Sequence, residues 1–378
     1  MSVDAAPTDK GAGGEAGNLP TPAPRRRLPE EAGAPGLIWS LQYLRAGAAL
    51  AVVAYHALQW CDGGFDVGRA GVDVFFVISG VLMWTITAGR EIAPRAFLWR
   101  RFTRVAPLYW IATLLVAAIA PFWPYFLPEV KPGWTHLALS LAFIPHLDPK
   151  GLPFPTLPPG WTLDYEMIFY VIFAAALFAP VRARARIVVG ALFALVGAGF
   201  VFPDSAYYLG ANPMLLQFAA GVGLGIALQR RRLPSAAWGA GLMAGSLLVW
   251  LLVQEGHLFT ELFRPLVWGV PAAMLVAGAL AMEAARTAPM RRGPLARAGL
   301  ALGDASFSIY LFHLPATAVI AHAYGFYGQA DFTLAGRELP FFLISMAASI
   351  GAGLAARHFV EKPLLAWARG LGRPASGT

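Results

Sequence analysis

Cysteine is almost missing from this 378-residue chain: there is one, Cys61. A single thiol excludes an internal disulfide and any cysteine-rich metal site. The seven histidines show no ligand spacing such as His-Glu-x-x-His, so no metal is expected. Charge is scarce as well. Asp, Glu, Lys and Arg make up 13% of the chain against 57% hydrophobic residues, and the mean hydropathy is +0.58. That is far from a soluble globular composition and points to an integral membrane protein. Strand-type alternation is absent, which argues against a barrel. No apolar core begins near Met1, so no cleavable signal peptide is expected. No strand precedes the glycine-rich GAGGEAG near the N-terminus, which reads as low complexity and not as a phosphate loop. No Gly-x-Ser-x-Gly elbow occurs, and Ser79-Gly80 reads instead as a close helix approach.

What the chain does have is long apolar runs separated by short basic clusters. The net charge of +8 is dispersed among those clusters, as in cytoplasmic loops, so no nucleic-acid partner is expected. A helix needs about 20 mostly apolar residues to cross the hydrocarbon layer. The runs at 37–58, 71–88, 105–122, 161–180, 187–202, 211–229, 235–254, 265–283, 299–321 and 339–357 predict ten spans in an all-α, polytopic helical bundle. The stretch from Gly133 to His146 is ambiguous, lying in a segment (121–160) with ten prolines. The positive-inside rule decides it. With ten spans and a cytoplasmic N-terminus, 23 of the 29 basic residues fall inside and five outside. A further crossing at 133–146 would place 12 inside and 16 outside. Both termini are therefore expected in the cytoplasm, with 1–36 a disordered tail, 37–366 the membrane domain, 121–160 a proline-rich outer loop, partly re-entrant, and 367–378 a short tail.

The stretch LQYLRAGAALAVVAYHA (41–57) then poses a problem, because an apolar span carries Arg45 and His56. Eleven positions correspond to three turns plus about 20°, so both project from one face, roughly 16 Å apart in depth. In this topology His56, Asp73, Glu166 and His313 are expected at one level near the outer side, on four different helices. Ionisable groups at membrane depth are costly and normally face a protein interior or a watery cavity. Unrelated helix-locking hydrogen bonds are the plainer alternative.

The chain resembles the acyltransferase-3 family of bacterial integral membrane proteins, in particular its exopolysaccharide-production O-acetyltransferases. The resemblance covers about 37–366 and rests on LQYLRAGAALAVVAYHA (41–57), GVDVFFVISGVLM (71–83), RRFTRVAPLYW (100–110), GWTLDYEMIFY (160–170), LGDASFSIYLFHLP (302–315) and RHFVEKPL (357–364). Arg45/His56 and Arg101/Arg104 match the family's signature spacings. The resemblance implies an inner-membrane enzyme that moves an acetyl or similar short acyl group from cytoplasmic acyl-coenzyme A, its co-substrate, to a hydroxyl of an extracytoplasmic or lipid-linked saccharide. No permanently bound cofactor is implied. A fused periplasmic domain, present in some relatives, is not expected here.

Acyl transfer to a hydroxyl needs a group that takes the hydroxyl proton and donors where the oxyanion develops. His56 is the candidate base, or a transient acyl carrier. Its plainer reading is an interfacial hydrogen bond. Glu166, flanked by Trp161, Tyr165, Phe169 and Tyr170, is the preferred supporting carboxylate; the alternative is an interhelical pair with an arginine. Asp73, at a helix start, is a second catalytic candidate or a cap. Arg45 is placed to hold the thioester end of the donor, or else to satisfy helix carbonyls. Arg101 and Arg104 suit the phosphates of coenzyme A; otherwise they are positive-inside charges. Tyr310 and His313, one turn apart, are candidates for binding the acceptor or orienting the donor, against simple polar packing. Gly221-Val-Gly-Leu-Gly225 reads as a packing face. The rival classes are a secondary transporter or flippase of a saccharide precursor, for which no repeated halves are found, and a non-catalytic export factor.

Overall fold

Apolar runs of this length can satisfy their backbone groups in lipid only as helices or closed barrels. In a computed structural model they are helices. It describes residues 38–371 except 62, 124–126, 128–129, 131–132, 205–209, 255–262, 287–292 and 330–332; side chains are described only to 368. The expected tail at 1–36, parts of the 121–160 loop and residues 372–378 lie outside the described residues. The described residues from Trp39 onward form one compact unit. Among the described residues it is helical and holds no strand.

The helices in chain order are α1 (Trp39–Gln59), α2 (Ala70–Thr87), α3 (Pro94–Ile119), α4 (Trp134–Leu141), α5 (Trp161–Ala176) and α6 (Val181–Val201). They continue as α7 (Leu215–Gln229), α8 (Ala236–Gln254), α9 (Val270–Ala284), α10 (Pro294–Ala323), α11 (Glu338–Ala356) and α12 (Lys362–Leu371). Two π-helical turns, Pro265–Gly269 and Arg357–Glu361, lead into α9 and α12. Proline opens the first turn of α3 and of α10, where its missing N–H costs nothing. The start of α1 is finished from elsewhere. Glu283 on α9 accepts from the amides of Trp39 and Ser40 at 2.9 and 2.8 Å.

Each of the ten expected spans contains a helix. Seven helical stretches are long and apolar enough to cross a membrane by length and composition. The other three fall short for visible reasons. Gln42, Arg45 and His56 lower the hydropathy of α1, while α5 and α7 have 16 and 15 residues. α5 and α7 supply core, with Phe169 and Phe218 stacked at 4.4 Å and both fully buried. A helix that supplies the core and is ringed by protein can be short and polar where a lipid-facing one cannot.

Glycine sets the closest approach, between α2 and α7. A Cβ on Gly221 would strike the carbonyl of Val77 and lie 2.9 Å from Gly80 Cα, and Gly225 lies against Trp84. Gly223 has open space around it. Ser79-Gly80 and the Gly221–Gly225 stretch are thus the packing face expected of them.

The segment before α5 departs from a surface loop. Its helix α4 has only eight residues, too few to cross. Tyr109 OH and Trp110 Nε1 of α3 donate to the carbonyls of Ser140 and Leu141 at 3.2 and 2.7 Å. Phe143 packs on Tyr109 and reaches Phe102. Phe102 lies 17 residues, or about 26 Å of helix, from the end of α3. Residues around 136–146 therefore lie along α3, whereas Trp134, Leu152 and Phe154 are exposed; Pro158–Gly160 are buried, so α5 begins inside the bundle.

Candidate active site

The polar side chains of the spans collect around two cavities. The first has a cavity volume of about 130 Å³. Arg45 (α1), Arg101 and Arg104 (α3) and Glu166 and Tyr170 (α5) line it, between Phe75, Leu82 and Phe307. The second, about 980 Å³, holds His56 (α1), His313 (α10), Arg69 and Arg264, with Trp60, Trp161 and Tyr165 among its aromatic walls. Val72 and Tyr310 line both. One helix, α1, thus supplies an arginine to one cavity and a histidine to the other, as three turns of separation require.

In the arginine cavity, Arg45 Nε donates to Ser306 Oγ at 3.2 Å. Glu166 Oε1 accepts from Ser79 Oγ at 3.1 Å and from Tyr170 OH. Arg104 pairs with Glu361, which also accepts from Arg357 Nη1 at 2.8 Å and from Ser308 Oγ at 2.5 Å. Arg357 in turn holds Asp304 at 2.7 Å. Arg101 differs from its neighbour, because its buried Nε has no hydrogen-bond partner.

In the histidine cavity, His56 Nδ1 and Gln59 Oε1 are 3.1 Å apart, and Gln59 Nε2 donates to Tyr55 OH at 2.8 Å. The His56 and His313 rings are 5.1 Å apart. His313 is fully buried; its Nδ1 sits 2.6 Å from the Tyr310 carbonyl, and its Nε2 has no partner. Tyr310 OH accepts from Thr162 Oγ1 at 3.1 Å and donates to the Pro159 carbonyl at 3.2 Å. The start of α5 and the turn before it thus fix a residue that lines both cavities.

The expected constellation is therefore split. The structure brings His56 to His313, and Arg45 to Arg101, Arg104 and Glu166. It does not bring either carboxylate to His56, whose hydrogen bond goes to Gln59. Glu166 bonds Ser79, six residues along α2 from Asp73, or about 9 Å deeper. The expectation of one common level fails for that pair, because α5 starts inside the bundle. Asp73 is fully buried and engaged by Arg264 Nη2 at 3.0 Å and by Gln217 Nε2, so it locks α2 to the turn before α9 and lines neither cavity. Sequence reasoning passed over Gln59, Arg264, Gln217, Arg357 and Glu361. The available signal was an acid, Glu361, inside the closing RHFVEKPL motif, at a depth where an unpaired carboxylate is costly.

Comparison with known proteins identifies the family. Residues 38–358 match the acyltransferase-3 family, described as "Acyltransferase domain". The chain is 37% identical over 317 residues to "Exopolysaccharide production protein ExoZ" of Rhizobium meliloti, covering 82% of this chain and 94% of that protein. It is 33% identical over 155 residues to "Peptidoglycan O-acetyltransferase OatA" of Listeria monocytogenes, covering 36% of this chain and 24% of the other. It is 24% identical over 372 residues to "O-acetyltransferase OatA" of Staphylococcus aureus, covering 87% of this chain and 57% of the other. No solved structure matches. A match running from the first described residue into the π-turn before α12 leaves little of the bundle outside it: the chain belongs to the acyltransferase-3 family and is a multi-pass membrane O-acyltransferase.

Proposed function

We propose that the protein moves an acetyl or similar short acyl group from acyl-coenzyme A, bound in the arginine cavity from the cytoplasm, to a saccharide hydroxyl in the histidine cavity on the opposite side of the bacterial inner membrane. The carrying observation is that α1 lends Arg45 to one cavity and His56 to the other, and that Val72 and Tyr310 line both. Arginines match phosphate oxygens, and Arg101 and Arg104 suit the nucleotide end of the donor. The apolar walls suit its pantetheine arm, and Arg45 receives the thioester end. Glu166 belongs to this donor side, held by Ser79 and Tyr170. The aromatic walls of the larger cavity suit the faces of sugar rings, and the printed names of the relatives favour an exopolysaccharide or similar glycan.

In the reaction His56 Nε2 takes the proton of the acceptor hydroxyl. The hydroxyl oxygen bonds to the thioester carbonyl carbon, the carbon–sulfur bond breaks, and the sulfur leaves with a proton. A general base typically contributes about 10²–10⁴-fold. Placing the donor on one side and the acceptor on the other requires the ten-span topology with both termini inside, which the charge distribution supports.

Proteoliposomes with labelled acetyl-coenzyme A on one side and a deacetylated exopolysaccharide fragment on the other test this. Label is expected on the saccharide only when the donor faces the arginine cavity, and His56→Ala should abolish nearly all of it. Transfer that needs both substrates on one side would overturn the reading.

A further inference from the structure

We infer that Glu361 is a positioning residue for the donor: it fixes Arg104 at the wall of the arginine cavity, so that the guanidinium offers its remaining N–H groups to the anionic end of coenzyme A. This deepens the function proposed above and rests on it. Glu361 follows the matched residues 38–358 and is 1% exposed. Arg104 lines the cavity and Glu361 does not. A carboxylate inside a helical bundle is costly unless it is paired and hydrogen-bonded, and both of its oxygens are engaged. Oε1 accepts from Arg104 Nη1 and from Arg357 Nη1, the latter at 2.8 Å. Oε2 accepts from Ser308 Oγ at 2.5 Å. Asp304 accepts from Arg357 Nη2 at 2.7 Å, and the Arg104 guanidinium lies 5.7 Å from the Phe307 ring. One carboxylate thus ties α3, α10 and the π-helical turn Arg357–Glu361 together beside the donor cavity.

Arginine carries five N–H donors in a planar fork that matches phosphate oxygens two at a time. The bond to Glu361 occupies Nη1 on one side of that fork. It leaves the rest of the fork for the donor. A long side chain that rotates freely must be ordered when a ligand binds, and that ordering weakens binding. Arg104 is ordered beforehand. Arg104 and Arg357 meet at a single oxygen, so without its negative charge the two cations would repel each other and Arg104 would turn from its place. Charge alone argues the other way. A carboxylate close to an anion site repels phosphate, so a residue that only balanced charge would loosen the donor. Positioning and neutralisation therefore predict opposite signs for the loss of Glu361.

Calorimetric titration of the full-length protein in detergent with coenzyme A tests this. Glu361→Gln keeps the size and an acceptor oxygen but loses the charge. Its dissociation constant should rise on the order of 10-fold, with the number of binding sites kept. A misfolded fraction would lower the number of sites instead. In turnover the change should fall on KM for acetyl-coenzyme A and leave kcat nearly unaltered. Glu361→Asp, which restores the charge, should recover part of the affinity. Ser308→Ala removes only the hydroxyl that holds Oε2 and should weaken coenzyme A by roughly 2–10-fold; it decides the matter if Glu361→Gln fails to insert. Unchanged or tighter binding by the variant in use, or a loss carried by kcat alone, would overturn the positioning role. Wild-type protein that binds no coenzyme A would sink the proposed function itself, whereas wild-type binding beside an unaffected variant sinks only the role of Glu361.

Discussion

Arg101 and Arg104 look interchangeable in the sequence, two arginines three positions apart facing one way. Their partners make them different. Arg104 is tied to Glu361, whose carboxylate also holds Arg357 and Ser308, whereas Arg101 keeps a buried Nε without a partner. Arg101→Ala should therefore weaken acyl-coenzyme A binding by roughly 1.5–3 kcal/mol, the range for a hydrogen bond to a charged group. Calorimetric titration with the donor checks this; unchanged affinity would leave Arg101 a topology signal. Arg104→Ala should lower the melting temperature in detergent as well as donor affinity, since it also loosens a buried ion-pair cluster. The residue types of the candidate site were legible: Arg45, His56, Arg101, Arg104, Glu166 and His313 all line a cavity. Their pairing was not. Glu361 lies 257 positions from Arg104 and His313 as many from His56, and nothing local in a sequence records which distant side chain a polar atom meets.

At the level of elements, glycine spacing was a readable signal, because small residues let membrane helices approach. Gly221→Ala should force α2 and α7 apart, costing about 1–3 kcal/mol as overpacking does. Gly223→Ala, two residues away with open space around it, should melt like the wild type. Equal melting temperatures for both variants would show that the helices are not held at glycine contact. The all-helical fold was legible because long apolar runs without strand alternation satisfy their backbone in lipid only as helices. The path of 134–160 was not. A proline-rich stretch with mixed polarity reads as an outer loop, partly re-entrant, and its depth comes from Tyr109, Trp110 and Phe102 of another helix. Glu166, one turn into α5, sits deeper than an outer start of that helix implies for the same reason.

For the whole molecule, topology decides which cavity meets which solution. In a Cys61→Ala background, Lys150→Cys should react with an impermeant thiol reagent in intact cells, and Arg231→Cys only after the membrane is opened. Protection at position 150 would reverse the sidedness of donor and acceptor. Assembly has an order in time as well. Glu283 holds the first two amides of α1 from a position 244 residues later in the chain. At ordinary synthesis rates of 5–20 residues per second, that carboxylate emerges about 10–50 s after Trp39. The first helix to enter the bilayer is thus among the last to be completed. Both cavities, each of which takes a side chain from α1, are unfinished until α9 has joined it, so a nascent chain cannot begin acyl transfer before most of its helices are in place.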